Sequence, residues 1–223
     1  MHRLDEAIRQ ARAASEKLVK VDPSYSDLEL RRRDVRDTLS QSGLPPWPWC
    51  DFDSARFKDV SRRAPAMVGF CRKWKRVHGS VVLSGPTAIG KTVCLVALGR
   101  RIIKRLAEDP PLSPRLANWA RRVRFCASDS LVMARKGHPL GRGEAPEIDR
   151  ASSAGLLLLD NLGNESEDRD GVLFHLIDRR YMAGLPTVLT THLSESELRQ
   201  RYGDAMVRRI VDHGAFVLPG GAT

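Results

Sequence analysis

Residues Gly85-Pro86-Thr87-Ala88-Ile89-Gly90-Lys91-Thr92 place two glycines, a lysine and a hydroxyl at the spacing G-x-x-x-x-G-K-T. Each residue type has its own task. Glycines let the backbone curl until successive N–H groups converge and can cradle phosphate oxygens. Lys91 brings a compact positive charge to β- and γ-phosphates, and Thr92 offers a hydroxyl to Mg²⁺. The helix expected to open at Lys91, with Val93 in its first turn, aims its positive end at the same point. The chemistry implied is the binding of ATP with Mg²⁺ by residues 85–93.

Further along, Gly155-Leu156-Leu157-Leu158-Leu159-Asp160 is an apolar run ending in an acid. An aspartate at the C-terminal end of a strand beside the phosphate-loop strand can hold Mg²⁺ through water, so Thr92 and Asp160 form the expected metal pair. The next residue bears on turnover. Hydrolysing enzymes of this type carry an acid there to activate the attacking water. Here it is Asn161, whose amide can orient a water but cannot accept its proton. Either hydrolysis is slow, or another acid serves, and Glu165 is the nearest one; a loop acid is otherwise simply solvated.

Positioning these groups takes a sheet. Short apolar runs at 80–84, 123–127, 155–160, 187–191 and 215–218 fit strands buried on both faces of a parallel sheet. Helical patterns lie between them, at about 64–77, 91–107, 129–136, 167–183 and 194–212. The alternation predicts an α/β fold, a five-stranded parallel sheet flanked by helices. Upstream, residues 2–20 read as an amphipathic helix, and a second helix runs from the cap Ser26 to about Gly43. The proline-rich LPPWPW at 44–49 can be neither helix nor central strand. The expected organisation is a helical arm at 1–43, a linker at 44–49 and an ATP-binding domain at 50–223.

Composition narrows the class. The chain has 223 residues, enough for one α/β domain and a small appendage. Cys50, Cys71, Cys94 and Cys126 stand singly with no CxxC pair, so a structural zinc site is not expected. The N-terminal residues lack the apolar core of a secretory signal, and no apolar run reaches membrane-spanning length. A cytoplasmic protein with no membrane partner is expected. The formal net charge of +10 suits a polyanionic partner or a generally basic surface. Basic clusters fall at 31–36, 72–76, 100–105 and 121–124, with Trp74 and Trp119 close to two of them. Stacking aromatics among cations are how single strands are bound without sequence preference, although both tryptophans also fit helical core stripes.

Taken together, these residues resemble the AAA+ ATPases of the DnaC helicase-loader and IstB transposition-helper group. The resemblance runs from about Ser42 onward. It rests on the proline-containing segment before the phosphate loop, on LLLLDNLG (156–163), on IDRRYMAGLPTVLTTHLS (177–194), and on GDAMVRRI (203–210). It implies an AAA+ sheet order, no separate helical lid domain, self-assembly through ATP at subunit interfaces and binding of single-stranded DNA. The implied protein partner is a replicative helicase, or a transposase for a transposition helper. By the same resemblance Arg209 is the arginine that reaches a neighbouring subunit's nucleotide, with Arg208 as the alternative match. His192 stands at the sensor position after the fourth strand, and Arg180 falls on a family arginine that can equally be structural. The expected catalytic set is then Lys91, Asp160, Asn161, His192 and Arg209. A remodelling ATPase, most simply a helicase loader, leads; a nucleotide-driven switch with little hydrolysis is the alternative. A small-molecule kinase would need an arginine-rich lid insertion, which the sequence lacks.

Overall fold

The computed structural model describes residues 26–108, 110–139, 141–165, 168, 171–211, 215–219 and 221–222. The helix expected at 2–20 lies outside these residues.

Five parallel strands form the sheet: β1 (Val81–Ser84), β2 (Val123–Ala127), β3 (Leu156–Leu162), β4 (Thr187–Thr191) and β5 (Ala215–Leu218), in the order β2-β3-β4-β1-β5. A two-residue β6 (Gly221–Ala222) adds antiparallel to β5, beyond the expected five. Alternation within the apolar runs splits the core into two layers. Val81, Leu83, Leu156 and Leu158 face one side, and Val82, Leu157 and Leu159 the other. Burial on both faces is why these strands read as continuous apolar runs.

One layer is covered by α2 (Phe57–Arg63), α3 (Pro65–Lys73) and α4 (Lys91–Lys104), together with α5 (Pro114–Arg121). The other is covered by α6 (Ser128–Gly137), α7 (Pro146–Ser153), α8 (Val172–Met182), α9 (Glu195–Tyr202) and α10 (Asp204–Val211). The helix read as continuous over 194–212 is two helices, broken at Gly203, whose φ of 82° ends α9. Helices α2, α5 and α7 extend the pattern read from sequence. The last two open on a proline at their first turn, where its missing N–H costs nothing.

The described helix of the arm, α1 (Asp27–Gln41), starts with the expected Ser26 cap, closed by Glu29 as a capping box. It packs onto the ATP-binding body, with Val35 and Leu39 against the core and Asp34 paired to Arg121 at 2.6 Å. Where α1 ends, Ser42 O accepts from the Phe125 N–H at 2.7 Å, on the outer edge of β2. A Cβ on Gly43, at φ 75°, would sit 2.6 Å from Phe125 O, so only glycine lets the chain lie this close. Among the described residues no helix is long and apolar enough to cross a membrane.

Candidate nucleotide site

The phosphate loop leaves β1 at Ser84, and two contacts hold its root. Gly85 N donates to Thr191 O at 3.3 Å, and Ser84 Oγ donates to Leu193 O at 2.7 Å. The loop therefore rises between the C-terminal ends of β1 and β4, where open α/β sheets bind ligands. Ala88 adopts φ 66° and Gly90 φ 104°, turning the backbone into a concave arch. Gly90 is also sterically required, since a Cβ there would lie 2.5 Å from Val60 Cγ1 on α2.

Lys91 is largely buried, and its ammonium donates to Gly85 O at 2.6 Å and Pro86 O at 2.7 Å. Burial draws its pKa below the usual lysine value, opposed by the nearby Asp160 charge. Carbonyls are weaker partners for a buried ammonium than phosphate oxygens, so the loop is built to exchange them.

Asp160, expected at the end of its strand, lies two residues before the end of β3, which runs on to Leu162, and is buried. Thr92 Oγ1 donates to its carboxylate at 2.9 and 3.1 Å. Thr190 Oγ1 donates to the same carboxylate at 2.5 Å from β4. One hydroxyl and one carboxylate suit Mg²⁺, which keeps water and phosphate oxygens in its remaining places. Among the described residues no cluster of three or more His, Cys, Asp or Glu is poised to hold a metal. A magnesium ion held by Thr92 and Asp160 thus needs the nucleotide's own oxygens, and would neutralise phosphate charge there.

Asn161 follows in a register shift of β3 against β4, with φ 59°. Its backbone is gripped on both sides: its N–H donates to Thr190 Oγ1 at 2.9 Å, and its carbonyl accepts from Ser128 Oγ at 2.8 Å. The left-handed turn exposes the amide side chain beside the phosphate loop. A cavity of about 440 Å³ opens here, lined by the loop, by Asn161, Asn164 and His192, and by Arg63 from α2. The structure thus brings Lys91, Thr92, Asn161 and His192 to one cleft, with Asp160 bonded to Thr92 behind it. Among the described residues no carboxylate lines it.

Glu165 does not reach this cleft. It is buried, accepting from Ser128 Oγ and Gly163 N at 2.9 Å, from Arg201 Nη2 at 3.2 Å and from the Tyr202 hydroxyl. Burial pushes its pKa up, but the bonds from Tyr202, the loop amides and Ser128 outweigh that and leave it below the usual carboxylate range. A carboxylate so occupied makes a poor water activator.

Arg209 lies on α10 and is engaged within its own chain. It pairs with Asp178, donates to Ala205 O at 2.8 Å, and stacks over Phe174 at 5.2 Å. Arg208 beside it is exposed, with no hydrogen-bond or ion-pair partner among the described residues. Arg180 is fully buried, donating to Thr187 Oγ1 and to the carbonyls of Ala151, Ser152, Ala154 and Pro186. It ties the end of α7 to the start of β4 and faces no ligand cleft. Trp74 is buried and stacked on Trp119 at 6.3 Å, which removes it from any stacking surface. Thr190, Asn164 and Arg63 went unread in the sequence.

A sheet ordered β2-β3-β4-β1-β5 with a phosphate loop after β1 and an aspartate toward the C-terminal end of β3 defines a P-loop NTPase domain of the AAA+ class. The family model of IstB-like ATP binding proteins matches residues 29–219, and the chain belongs to that family. No curated protein matches it significantly.

Among solved structures, the DnaC helicase loader shares 19% identity, with a TM-score of 0.51 over 80% of this chain and 96% of that one. AMPPCP-bound DnaA from Aquifex aeolicus shares 22% identity, with a TM-score of 0.51 over 72% of this chain and only 46% of that one. Domain III of the Thermotoga maritima replication initiation protein DnaA shares 18% identity and a TM-score of 0.54, over 78% and 68% of the two chains. At these identities the likeness is one of fold.

Proposed function

We propose that the chain is an ATP-controlled assembly factor that acts at single-stranded DNA and delivers or releases a partner protein, most simply a replicative helicase. The observation that carries this reading is the cleft itself. Lys91, Thr92 and Asp160 supply the groups for phosphate and metal, while the residue after Asp160 is an amide and, among the described residues, no carboxylate lines the cavity to activate water. Such a site binds ATP and turns it over slowly, which suits a protein whose bound state is the working one. The fold shared with a helicase loader and with DnaA bound to an ATP analogue supports the same reading.

DNA contact is supported by the net charge of +10 and by basic side chains on two separate surfaces. A cleft of about 690 Å³ between α6, α7 and α8 is bordered by Arg135, Lys136, His138, His175 and Arg179, with Glu144 paired to Arg135 at 3.4 Å and Asp149 to Arg179 at 3.5 Å. Helix α1 adds Arg32 and Arg36, both at the surface. Residues 1–43 are the segment proposed to meet the protein partner. The family match favours a second reading, a transposition helper whose partner is a transposase.

ATP turnover of the purified chain, with and without single-stranded DNA and beside Lys91→Ala, tests the proposal. Slow, Lys91-dependent turnover that changes with DNA is the expected result. Turnover that ignores DNA, together with no DNA binding at low salt, would sink it. Co-purification with a replicative helicase or with a transposase separates the two partner readings.

A further inference from the structure

We infer that Arg63 is a nucleotide-contacting residue, its guanidinium taking an oxygen of the phosphate chain while it braces the arch of the phosphate loop. The inference rests on the cleft being the ATP site and adds to it a residue outside every loop motif.

Arg63 is the last residue of α2, and that helix is seated on the loop. Phe57 at its start is fully buried, edge-on to Phe52 at 5.0 Å, which fixes the helix in the core. One turn on, Val60 presses against Gly90. Arg63 then lines the cavity and donates from Nη1 to Ala88 O at 2.7 Å and from Nε to Asp59 O at 3.3 Å. Its Nη2 has no partner among the described residues.

Three points turn this contact into a ligand contact. Ala88 is the residue whose φ of 66° forms the arch, so Arg63 holds the loop where its N–H groups must converge. Among the described residues the cavity wall carries Arg63 and Lys91 as its cations and no carboxylate, so both point their charge at the space a phosphate chain would fill. A guanidinium with one arm on a carbonyl and the other open presents a planar, permanently charged fork suited to a phosphate oxygen. Arg62, one position earlier, shares the charge and the helix. It points instead to solvent and pairs with Asp59 at 3.2 Å, which makes it an internal control.

The experiment is titration of Mg-ATP into the full chain and its Arg63→Ala, Arg63→Lys, Arg62→Ala and Lys91→Ala variants, across a salt series. Melting temperatures without nucleotide verify folding. Arg63→Ala is expected to weaken ATP binding by about tenfold or more, the loss typical of one charge-assisted contact. Arg63→Lys should fall between, and Arg62→Ala should match the parent. The affinity of Arg63→Ala should also fall less steeply with salt, because one charge contact is gone. Parent-like affinity in Arg63→Ala while Lys91→Ala loses binding would overturn the inference and leave the site standing. Weakened binding with an unchanged salt slope would reduce Arg63 to a brace and overturn the contact. Undiminished binding in Lys91→Ala would instead overturn the site itself.

Discussion

Thr190 is the hydroxyl on which Asp160 and the residue after it both depend, and its removal has a calculable cost. Thr190→Val keeps shape and volume but deletes the 2.5 Å bond to Asp160 and the acceptor for the Asn161 N–H. A hydrogen bond to a charged group contributes about 1.5–3 kcal/mol, and a stranded N–H costs on the order of 1 kcal/mol where water reaches it in part. The sum is about 2–4 kcal/mol. For a chain of this length each kcal/mol lowers the melting temperature by about 2–4 °C, so a drop of roughly 4–16 °C is expected. Thermal and denaturant unfolding without nucleotide measure it. Thr190→Ser, which keeps the oxygen, should recover most of the loss. ATP affinity should also fall in Thr190→Val, because Asp160 and the Asn161 turn lose a common anchor. A change under about 0.5 kcal/mol, the range of ordinary surface substitutions, would refute the reasoning, as would equal losses in Val and Ser.

Other expectations follow from the same geometry. Asn161→Asp keeps a residue type that tolerates the left-handed turn and adds the missing acid, so turnover should rise by about 10²-fold or more; unchanged turnover would show that the amide is not what limits the rate. Glu165 has a lowered pKa in the folded chain, so its carboxylate adds stability above its unfolded pKa of about 4.3 that is lost as pH falls through the lower folded value. Glu165→Gln should therefore flatten the acid limb of a melting-temperature profile, and two parallel limbs would count against that role. Arg209→Ala should cost no more than about 1 kcal/mol, since its pair with Asp178 is about one-third exposed. Arg208→Ala should leave melting unchanged, and its turnover beside that of Arg209→Ala tests which arginine, if either, acts at a neighbouring subunit's nucleotide. Full turnover in Arg208→Ala with loss in Arg209→Ala would support the intersubunit role expected of Arg209, and the reverse would support Arg208.

What the sequence carried was chemistry written into contiguous residues. Gly85 to Thr92 and Leu156 to Asn161 announce themselves because backbone curvature, charge and a buried strand demand those types in that order. The five strands were equally visible, since burial on both faces leaves a run such as LLLL with no other reading. The rest depends on partners distant in the chain. Thr190 is one of three threonines in TVLTT, and only its facing Asp160 across the sheet distinguishes it. Arg63 sits in a basic run and gains meaning from Ala88, which the chain reaches only after β1. Glu165 reads as a free loop acid until Tyr202 and Arg201 close over it. The break at Gly203 was legible as a glycine inside a helical pattern, but the strong periodicity on both sides masked it.

The contact of Ser42 with the rim of β2 bears on how copies of this chain can join. An open strand rim is a template for another strand, and proteins that leave one uncovered risk growing by sheet extension into fibrous aggregates. Here the segment leaving α1 occupies the Phe125 N–H, and the two-residue β6 occupies the opposite rim beside β5. The chain thus covers its own sheet at Phe125 on one rim and along β5 on the other, which leaves less open backbone for a second sheet to extend. Trimming the arm to obtain a smaller ATP-binding fragment would therefore uncover a sticky rim as well as shorten the chain.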